Sequence, residues 1–417
     1  MVGLGMIFDE TYRHFFESQR GDSFWLPECG PVRVSLGGVA TRTGVRAARL
    51  AHEWSAAGEG TFGNFVGPTA ADELARSEVD AVCVATPDDR HFGPARAALR
   101  AGKHVLIEKP SVLSLAELDE LTALAEANGV LCKVVYHKLL DPDHKKLRTH
   151  VADGVLKHVN SGYCSLLEPR SIATGQFAEW VTGRNPATYV AVHYVKLIDF
   201  TFGPAWSLSR ITASGQRGLV QRSPAPPTWD SVLLRIVYTH PDGREAAFDV
   251  HTSWVNPDNF PGYVEQEVQF RFDNGVWLAH QRKRGVELAV EGQSPHAVKN
   301  TPNHHYNAAF LEPWGERTHR GYGIEVIERF FREVAHVEFG GQQGERAERL
   351  KAMNRLAHND VRADRNTVAV VQALEAILAA QAAGHPDAVV KVNTPSPGLR
   401  LLKPGVSEPE VLYPRHV

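Results

Sequence analysis

The sequence predicts two domains, a doubly wound parallel α/β sheet followed by a C-terminal α+β domain with a large, mostly antiparallel sheet. Up to Tyr136, short β-branched runs alternate with helical segments, which is typical of βαβ units. After Tyr136, longer strands with alternating polarity are joined by hairpin turns. A chain of 417 residues with 43% hydrophobic residues is long enough for two cores. We therefore predict domains at residues 1–137 and 138–417.

A lysine stands at the end of one predicted buried strand. Residues 104–107 form a short apolar run between Gly102 and Pro110, as expected for a parallel strand that is covered on both faces. Lys109 follows this run, and ligands of open α/β sheets bind at the carboxyl ends of the strands. The sequence therefore favours Lys109 as a site residue. The alternative is a surface lysine that merely follows a strand.

The N-terminal stretch predicts a glycine-rich turn between a strand and a helix. Met1 and Val2 are the tail of a first strand, and a helix is expected from about Phe8 to Gln19. In the turn, Gly3, Gly5, Met6 and Ile7 would bring the backbone close to a pyrophosphate at the helix N-terminus. Almost all of the strand that should precede Gly3 is missing. We expect either a start further upstream or a central strand that is only a stub.

The second predicted strand, residues 32–39, bears on cofactor choice. It precedes Thr41-Arg42-Thr43 and a helix over residues 45–54. Folds that select NAD usually carry an acidic residue at this place for the ribose 2′-hydroxyl. A hydroxyl and an arginine suit a 2′-phosphate instead, so Thr41 and Arg42 favour NADP over NAD. The alternative is an ordinary polar loop.

The rest of the first domain continues the same alternation. Strands are predicted at residues 80–85, 104–107 and 130–136, and helices at residues 92–100 and 114–127, the latter with the capping box Ser114 to Glu117. The strand at residues 80–85 ends in Thr86-Pro87, and His91 follows shortly after.

The second domain begins with helix and strand signals and continues with hairpins. Helices are predicted at residues 143–151, 188–202, 322–337 and 367–383, and a strand at residues 158–166. Hairpin turns at Pro241-Asp242-Gly243 and Asp273-Asn274-Gly275 join residues 232–238 to 246–251 and residues 265–272 to 276–282. Pro224–Pro227 and the tail from Pro395 onward are predicted as loops.

Charge and cysteine usage bear on the partners and the compartment that we expect for the protein. A formal net charge of -3 gives no electrostatic reason to expect nucleic acid or an anionic membrane as a partner. The four cysteines are far apart and form no metal-type spacing, which predicts reduced thiols and no metal site. We find no leader pattern and no apolar run approaching a membrane span, so a cytoplasmic location is expected.

Four features occur in an order that resembles the Gfo/Idh/MocA oxidoreductases, the family of glucose-fructose oxidoreductase and inositol dehydrogenase. They are the Gly-x-Gly turn, the Thr86-Pro87 strand end, the Glu108-Lys109-Pro110 tripeptide and the helix that bears His193. The resemblance covers residues 1–203 closely and the remainder only in architecture. It implies a Rossmann domain followed by an α+β domain whose open sheet makes the interface of a homo-oligomer, with the active site between the two domains.

The resemblance also implies a chemistry. Members exchange a hydride between C4 of a nicotinamide and a hydroxyl or keto group of a sugar or cyclitol. By resemblance, Lys109 would orient the substrate oxygen and touch the cofactor, with Thr86, Pro87, His91 and Glu108 also on the cofactor side. His193 would be the proton-transfer group, since imidazole titrates near the working pH. The alternative for His193 is a helical histidine satisfied in the core.

The sequence departs from the family pattern on the histidine helix. Where many members carry an aspartate and a second acid, this chain has Tyr189 and Lys196. Positions 189, 193 and 196 share a helix face, so all three could line one pocket, with Tyr189 as a donor or acid. These departures put the standard substrate in doubt.

Three further residues are candidates for the substrate side. His137 stands where the family often has an Asn or Arg facing the substrate, and Tyr163 and Glu168 lie on a strand expected to line the cleft. The alternative for each is a structural role.

Three functions remain open at this point. The first is an NAD(P)-dependent oxidoreductase acting on a carbohydrate-like alcohol. The second is an NAD-dependent glycoside hydrolase that oxidises a sugar transiently and eliminates the aglycone. The third is a non-catalytic dinucleotide-binding regulator, and the presence of both Lys109 and His193 argues against it, because a sensor needs no proton-transfer pair.

Overall fold

The structure, a computed structural model, describes most of the chain. The described residues are 1–19, 23–56, 60–176, 178, 180–220, 228–259, 264–280, 286–287, 300–301, 306–311, 313, 315, 317–356, 358–393 and 398–414.

The strands formed within these residues are β1 (Phe24–Leu26), β2 (Gly30–Val32), β3 (Gly38–Thr41), β4 (Gly63–Val66), β5 (Ala81–Val84), β6 (His104–Ile107), β7 (Cys132–Val134), β8 (Val159–Pro169), β9 (Ser207–Gln216), β10 (Ser231–Thr239), β11 (Glu245–Asn256), β12 (Glu265–Phe272), β13 (Gly275–His280), β14 (Val286–Glu287), β15 (Asn300–Thr301), β16 (Ala308–Leu311), β17 (Arg317–Arg320), β18 (Val389–Asn393), β19 (Gly398–Leu402) and β20 (Glu410–Tyr413).

The α-helices in the same part of the chain are α1 (Arg13–Ser18), α2 (Val45–Ala56), α3 (Ala70–Arg76), α4 (Phe92–Arg100), α5 (Leu115–Ala127), α6 (Pro142–Ala152), α7 (Val192–Phe202), α8 (Tyr322–Phe339), α9 (Arg346–Arg355) and α10 (Arg365–Ala382). A π-helical turn, Phe8–Tyr12, runs into α1, and a second one, Ala187–Ala191, runs into α7.

The chain forms two compact units. The N-terminal unit contains Met1–Leu113, Glu117–Leu140 and His305–Arg365, and the C-terminal unit contains Ser114–Ala116, Asp141–His304 and Asn366–Val417. The sequence predicts a single boundary after residue 137, whereas the chain changes unit after Leu140 and the segment His305–Arg365 returns to the N-terminal unit. The return is driven by burial, since apolar residues of α8 such as Phe330 and Val334 share one core with Phe15.

The N-terminal unit contains the predicted parallel sheet, in the order β4-β3-Val2-β5-β6-β7. Val2 lies at its centre, where its N–H donates to the Cys83 carbonyl over 2.8 Å and its carbonyl accepts from Ala85 N–H over 2.8 Å. The first strand is thus a stub in the central position. This order is that of doubly wound dinucleotide folds, in which the carboxyl ends of all strands meet at one edge.

Two details of this sheet differ from the prediction. The second strand was predicted from residue 32, but β3 begins at Gly38, because residues 30–32 pair with β1 in a separate hairpin. Strand β4 and helix α3 were not predicted, since β4 has four residues and starts with Gly63-Asn64, which carry weak strand signals.

The C-terminal unit is built on a nine-stranded sheet in the order β13-β12-β8-β11-β10-β9-β18-β19-β20. Every pair is antiparallel except β8 with β11, which confirms the predicted mostly antiparallel sheet. Helix α7 covers one face, where Phe202 stacks on Phe248 at 5.4 Å between ring centroids. Gly162 makes room there, because a Cβ would lie 2.4 Å from the Phe270 ring.

The prediction of a loop from Pro395 onward is wrong for two segments. Residues 398–402 and 410–413 are strands β19 and β20 of the large sheet, where Leu399 and Leu401 are buried and Arg400 between them is exposed. Burial of every second side chain stabilises these strands, although prolines lie nearby in the sequence. Pro224–Pro227, residues 395–397 and residues 281–282 of the second hairpin lie outside the described residues.

The predicted helices and hairpins are otherwise confirmed to within a few residues.

Cys83, Cys132 and Cys164 are buried free thiols, and Cys29 is a half-buried free thiol. Among the described residues, we find no helix with the length and apolar character needed to cross a membrane.

Candidate active site

One edge of the parallel sheet collects the predicted cofactor residues. Gly3 and Gly5 follow the central stub, Thr41 ends β3, Thr86 follows β5, and Lys109 follows β6 by two residues. Because the strands are parallel, these carboxyl ends lie at the same edge of the sheet. The structure thus brings together residues that are up to 106 positions apart in sequence, from Gly3 to Lys109.

The glycine-rich turn fits a dinucleotide. Gly3 has a φ of +89°, and a Cβ there would lie 2.5 Å from the Ala85 carbonyl oxygen, so the turn requires glycine. A Cβ at Gly5 would meet none of the described atoms within 4 Å, which leaves room for a phosphate at the helix start. Helical backbone begins at Met6 and continues into the π-helical turn Phe8–Tyr12, and Phe8 itself is 1% exposed.

The loop after β3 carries the predicted cofactor-selecting residues. The Gly44 N–H donates to Thr41 Oγ1 over 3.0 Å, so the threonine hydroxyl closes the loop. Arg42 is exposed directly after the strand. The loop Arg42-Thr43-Gly44 after β3 contains no acidic side chain. This is the position where folds that select NAD usually carry an acidic residue for the ribose 2′-hydroxyl.

His91 connects two loops at this edge. Its Nδ1 lies 2.7 Å from the Pro110 carbonyl oxygen, and its Nε2 lies 2.8 Å from the Thr86 carbonyl oxygen. The ring is 1% exposed, and burial lowers its pKa while the two carbonyls oppose that shift. His91 therefore fixes the Thr86 loop against the loop that follows Lys109.

Glu108 is a buried carboxyl beside Lys109. Tyr12 donates its hydroxyl to Glu108 Oε1 over 3.0 Å. Burial raises the pKa of Glu108 to about 7, against the opposing effects of the Lys109 charge and the Tyr12 hydrogen bond. The carboxyl of Glu108 thus changes charge near neutrality, one residue before Lys109.

Sequence analysis missed Asp364, which ties two strand ends together. Its carboxylate accepts from Ser111 Oγ over 2.5 Å and from the Tyr136 hydroxyl over 2.8 Å. Asp364 is 0% exposed, and Ser111 lies two residues after Lys109. Asp364 therefore holds the loops that follow β6 and β7, and no local pattern in the sequence marks it for this role.

The returning segment also packs around His137. The His137 ring lies 5.0 Å from the Tyr306 ring and 5.7 Å from the Tyr322 ring. The Tyr306 hydroxyl in turn lies 2.9 Å from Thr11 Oγ1, on the first helix. His137 is therefore held at the carboxyl end of β7 by two tyrosines that sequence analysis did not single out.

The C-terminal unit holds the predicted proton-transfer helix. His193 and Lys196 lie on α7 with 3% and 1% of their surface exposed. Tyr189 lies in the π-helical turn just before α7 and is half-buried. The helix predicted over residues 188–202 is confirmed, although its first turn is wider than the α-helix assumed for the shared face.

Tyr163 and Glu168 lie on opposite faces of β8. Glu168 accepts from Trp254 Nε1 over 2.9 Å, on the face where Gly162 meets the phenylalanines below α7. Tyr163 is five residues earlier and points to the other face, because successive strand side chains alternate. The structure therefore places only Glu168 on the face that α7 covers and does not bring Tyr163 to it.

Three aromatic rings cluster at the π-helical turn that precedes α7. Tyr189 lies 5.0 Å from Trp180 and 6.5 Å from Trp254, measured between ring centroids. Neither tryptophan was predicted as a site residue, although the buried alternation of β11 would have placed Trp254 on the inner face. Within the described part of the chain, no cluster of three or more His, Cys, Asp or Glu side chains could hold a metal ion.

Comparison with known families identifies the N-terminal region. Residues 1–136 match the family described as the oxidoreductase family with an NAD-binding Rossmann fold, GFO_IDH_MocA. The match confirms the resemblance predicted from the glycine-rich turn and the Glu108-Lys109-Pro110 tripeptide.

Two curated relatives match over part of their length. An uncharacterised oxidoreductase of Escherichia coli (strain K12) is 41% identical over 81 residues, which are 19% of this chain and 23% of the relative. The 1,5-anhydro-D-fructose reductase of Ensifer adhaerens is 34% identical over 126 residues, 30% of this chain and 36% of the relative. This chain thus matches only about a quarter to a third of the length of these relatives.

A solved structure matches over most of the chain. The scyllo-inositol dehydrogenase of Lactobacillus casei, crystallised with NAD(H) and scyllo-inositol, has a TM-score of 0.58 and 13% identity. The likeness covers 94% of this chain and 97% of that chain. At this identity the likeness shows the fold, and it confirms the Rossmann domain followed by a large antiparallel sheet.

Proposed function

We propose, on the premise that residues 1–136 belong to the Gfo/Idh/MocA oxidoreductases, that the whole chain is an NAD(P)-dependent oxidoreductase. It would exchange a hydride between the nicotinamide and a hydroxyl or keto group of a sugar, cyclitol or glycoside. The observation that carries the proposal is the position of Lys109 two residues beyond β6, at the edge of the sheet where Gly3 and Gly5 form a turn that fits a dinucleotide.

The roles of the chain's own residues follow from this arrangement. When bound, the nicotinamide would supply the hydride acceptor or donor. Lys109 would donate a hydrogen bond to the substrate oxygen and orient it. His193 would take the hydroxyl proton in the oxidation direction and return it in the reduction direction. Lys196, buried on the same helix, would add a second donor near the substrate.

The fixed neighbours of Lys109 support this role. Asp364 holds Ser111, and His91 holds the Pro110 carbonyl, so the backbone on the far side of Lys109 is held at two points. Such support would help to keep the Lys109 side chain in one geometry, and precise positioning of a catalytic group contributes to rate.

We propose NADP as the preferred dinucleotide. Arg42 is exposed at the end of β3, and the neighbouring Thr41 supplies a hydroxyl. A guanidinium binds a 2′-phosphate through charge-assisted hydrogen bonds, whereas NAD offers only a hydroxyl. Thr86, Pro87 and Met6 lie at the same edge and would line the remainder of the dinucleotide site.

An NAD-dependent glycoside hydrolase is the second candidate. Tyr189 favours it, because this half-buried phenol stands where many relatives are expected to carry an aspartate and could protonate a departing aglycone. The two candidates differ in outcome, since the hydrolase would release free sugar without net change in the dinucleotide.

We further propose a cytoplasmic homo-oligomer that assembles through the large sheet. The face opposite α7 carries exposed apolar side chains, including Leu233 on β10 and Leu278 on β13, with 42% and 53% of their surface accessible. Burying such residues against a second copy would be favourable.

The experiment that tests the proposed function has two steps. Mass spectrometry of the small molecules released from purified protein identifies a bound dinucleotide, and a panel of polyols and glycosides then tests for its reduction. NADP(H) release together with substrate-dependent reduction supports the oxidoreductase. Free sugar from a glycoside with no net reduction supports the hydrolase, and no dinucleotide binding at all would contradict both.

A further inference from the structure

The π-helical turn that precedes α7 is held by a closed set of side-chain hydrogen bonds. At the start of the turn Ala187–Ala191, Asn185 Oδ1 accepts from the Thr188 N–H over 2.8 Å. The Thr188 hydroxyl donates to Glu375 Oε1 over 2.5 Å, and Asn185 Nδ2 donates to the same oxygen over 2.9 Å. Glu375 lies on α10, so its carboxylate joins that helix to the turn.

The polarity of this network leaves each group one role. The Thr188 N–H can only donate, which directs the Asn185 amide oxygen to the turn and its Nδ2 to the other two members. Nδ2 then donates to Thr188 Oγ1 over 3.1 Å as well as to Glu375. Asn185 and Thr188 are each 2% exposed. Removal of the Glu375 oxygen therefore takes the acceptor from two buried donors, which destabilises the turn.

The segment that leads into the turn is held separately. The Trp229 N–H donates to the Arg184 carbonyl over 2.9 Å, and the Gly183 N–H donates to Thr228 Oγ1 over 3.2 Å. Thr228 and Trp229 come just before β10, so they fix this backbone to the large sheet. The chain thus enters the turn from a fixed segment, and Glu375 holds the turn itself.

The turn decides how Tyr189 is oriented relative to His193. A π turn contains one residue more than an α turn, which offsets the register by about one position, or roughly 100° around the helix axis. Tyr189 directly follows Thr188, and its ring lies 5.0 Å from the Trp180 ring. His193 is the second residue of α7, which continues directly from the turn. The width of the turn therefore sets the angle between the two side chains.

We propose that Glu375 is a positioning residue, which acts through Asn185 and Thr188. Its carboxylate holds the π turn in the geometry that orients His193 for proton transfer. The inference rests on the proposed function, because it names a residue that aligns the proton-transfer group of the same site. Without this carboxylate the turn relaxes toward an ordinary α turn, and His193 loses the orientation from which it exchanges the proton.

Helix α10 also supplies a matched control for this role. Gln381 Oε1 accepts from the Gly215 N–H over 3.0 Å, and Gln381 Nε2 donates to the Gly215 carbonyl over 2.8 Å. Gln381→Ala thus removes two hydrogen bonds of the same helix, but they join it to β9 and not to the turn. A contribution of Glu375 to stability alone predicts the same catalytic result for Glu375→Ala and Gln381→Ala.

The first test measures kcat, KM and the single-turnover rate of hydride transfer in the full-length protein. The probes are scyllo-inositol and methyl β-D-glucopyranoside with saturating dinucleotide, at a temperature where every variant is folded. We expect Glu375→Ala to lower kcat and the single-turnover rate about 10- to 100-fold, with KM and the dinucleotide Kd within about threefold of wild type. Gln381→Ala should lower Tm and keep the wild-type kcat.

Conservative variants show which atoms carry the effect. Thr188→Val removes the hydroxyl and keeps the shape of the side chain, so it should lower kcat as Glu375→Ala does. It also replaces Glu375→Ala if that protein does not fold. Thr188→Ser keeps the hydroxyl and Glu375→Gln keeps an acceptor oxygen, so both should remain within about fivefold of the wild-type kcat.

Amide hydrogen exchange followed by mass spectrometry gives a result that does not depend on turnover. Peptides that cover residues 185–196 should exchange about tenfold faster in Glu375→Ala, which corresponds to the loss of one or two hydrogen bonds. Gln381→Ala should leave these peptides unchanged and accelerate exchange in β9 instead.

Three outcomes would overturn the inference. They are a Glu375→Ala protein with the wild-type kcat, an equal loss of kcat in Gln381→Ala, and unchanged exchange of residues 185–196 in Glu375→Ala. Each can occur while the wild-type protein reduces the dinucleotide with an alcohol, in which case the proposed function stands. Absence of turnover with every alcohol would instead remove the proposed function and with it the catalytic role of Glu375, whereas the exchange result would still decide whether Glu375 holds the turn.

Discussion

Tyr12 donates its hydroxyl to Glu108 Oε1 over 3.0 Å, and both residues are buried. The bond joins the first helix to the strand end that carries Lys109. Burial raises the pKa of Glu108 to about 7, so its charge depends on pH in the range where the protein would work. A buried carboxyl in this position has a measurable consequence for stability.

The first prediction concerns Glu108→Gln, which should stabilise the apoprotein at pH 8 and have little effect near pH 4.5. Burial raises the pKa of Glu108 from its ordinary value of 4.5 to about 7 in the folded protein. Between these values the unfolded chain loses the proton while the folded chain keeps it, so wild-type stability falls as the pH rises. Above pH 7 the full cost is reached, on the order of 3 kcal/mol, and the amide avoids it.

Thermal unfolding of both proteins from pH 4.5 to pH 8 checks this prediction. Tyr12→Phe is the matched control, since it removes the donor that lowers the pKa of Glu108 and should increase the cost at pH 8. A difference in Tm between wild type and Glu108→Gln that does not change with pH would show that Glu108 carries no buried charge.

The second prediction concerns Asp364, whose carboxylate accepts hydrogen bonds from Ser111 after β6 and from Tyr136 after β7. Asp364→Asn should destabilise the protein by about 1–3 kcal/mol, because the amide has a single acceptor oxygen for two buried hydroxyl donors. Urea unfolding followed by circular dichroism measures the loss. Tyr136→Phe removes one donor and leaves the carboxylate intact, so it should cost less, about 0.5–1.5 kcal/mol. An Asp364→Asn protein as stable as wild type would contradict the role of Asp364.

The sequence predicts the local strands and helices around the site well, but it does not predict the long-range contacts that hold them together. The strand at residues 104–107 and the helix at residues 92–100 were predicted to the residue, because periodicity and flanking Gly and Pro are local signals. Asp364 contacts Ser111 across 253 positions of sequence. A contact of that separation follows from the path of the returning segment, which no single-sequence pattern encodes.

Strand geometry alone predicts that Tyr163 and Glu168 lie on different faces of the sheet. Tyr163 and Glu168 are five positions apart on one strand, and an odd separation places side chains on opposite faces. This alone separates the two candidates without a structure. Trp180, by contrast, lies in an irregular segment, where neither helical nor strand periodicity predicts which side chain reaches Tyr189.

The third prediction tests the preferred dinucleotide. Arg42→Ala should raise the Kd for NADP about 10- to 150-fold, because a charge-assisted contact to the 2′-phosphate contributes roughly 1.5–3 kcal/mol, and should change the Kd for NAD less than about threefold. Fluorescence titration of the purified protein measures both constants.

Arg49→Ala removes another exposed arginine of the same region and serves as the control. It should leave both dissociation constants close to those of wild type. Equal losses of NADP and NAD affinity in Arg42→Ala, or no loss, would contradict the assignment of Arg42 to the 2′-phosphate.

The fourth prediction addresses His193. His193→Asn should depress kcat by about 10²–10⁴ with little change in dinucleotide Kd, since an amide can hold a hydrogen bond but cannot exchange the proton. Tyr189→Phe should be the milder change for an oxidoreductase, and a severe Tyr189→Phe defect confined to glycosides with poor leaving groups would favour the hydrolase.

The central claim is that the chain transfers a hydride directly between an alcohol carbon and the dinucleotide. A substrate found in the polyol and glycoside panel, deuterated at the reacting carbon, tests this most directly when the reduced dinucleotide is analysed by mass spectrometry. We predict one deuterium in the reduced dinucleotide with wild-type protein, and a rate lowered by about 10²–10³ in Lys109→Ala, which removes one positioning donor. Reduced dinucleotide without deuterium, or free sugar with no deuterated dinucleotide at any time, would contradict the claim.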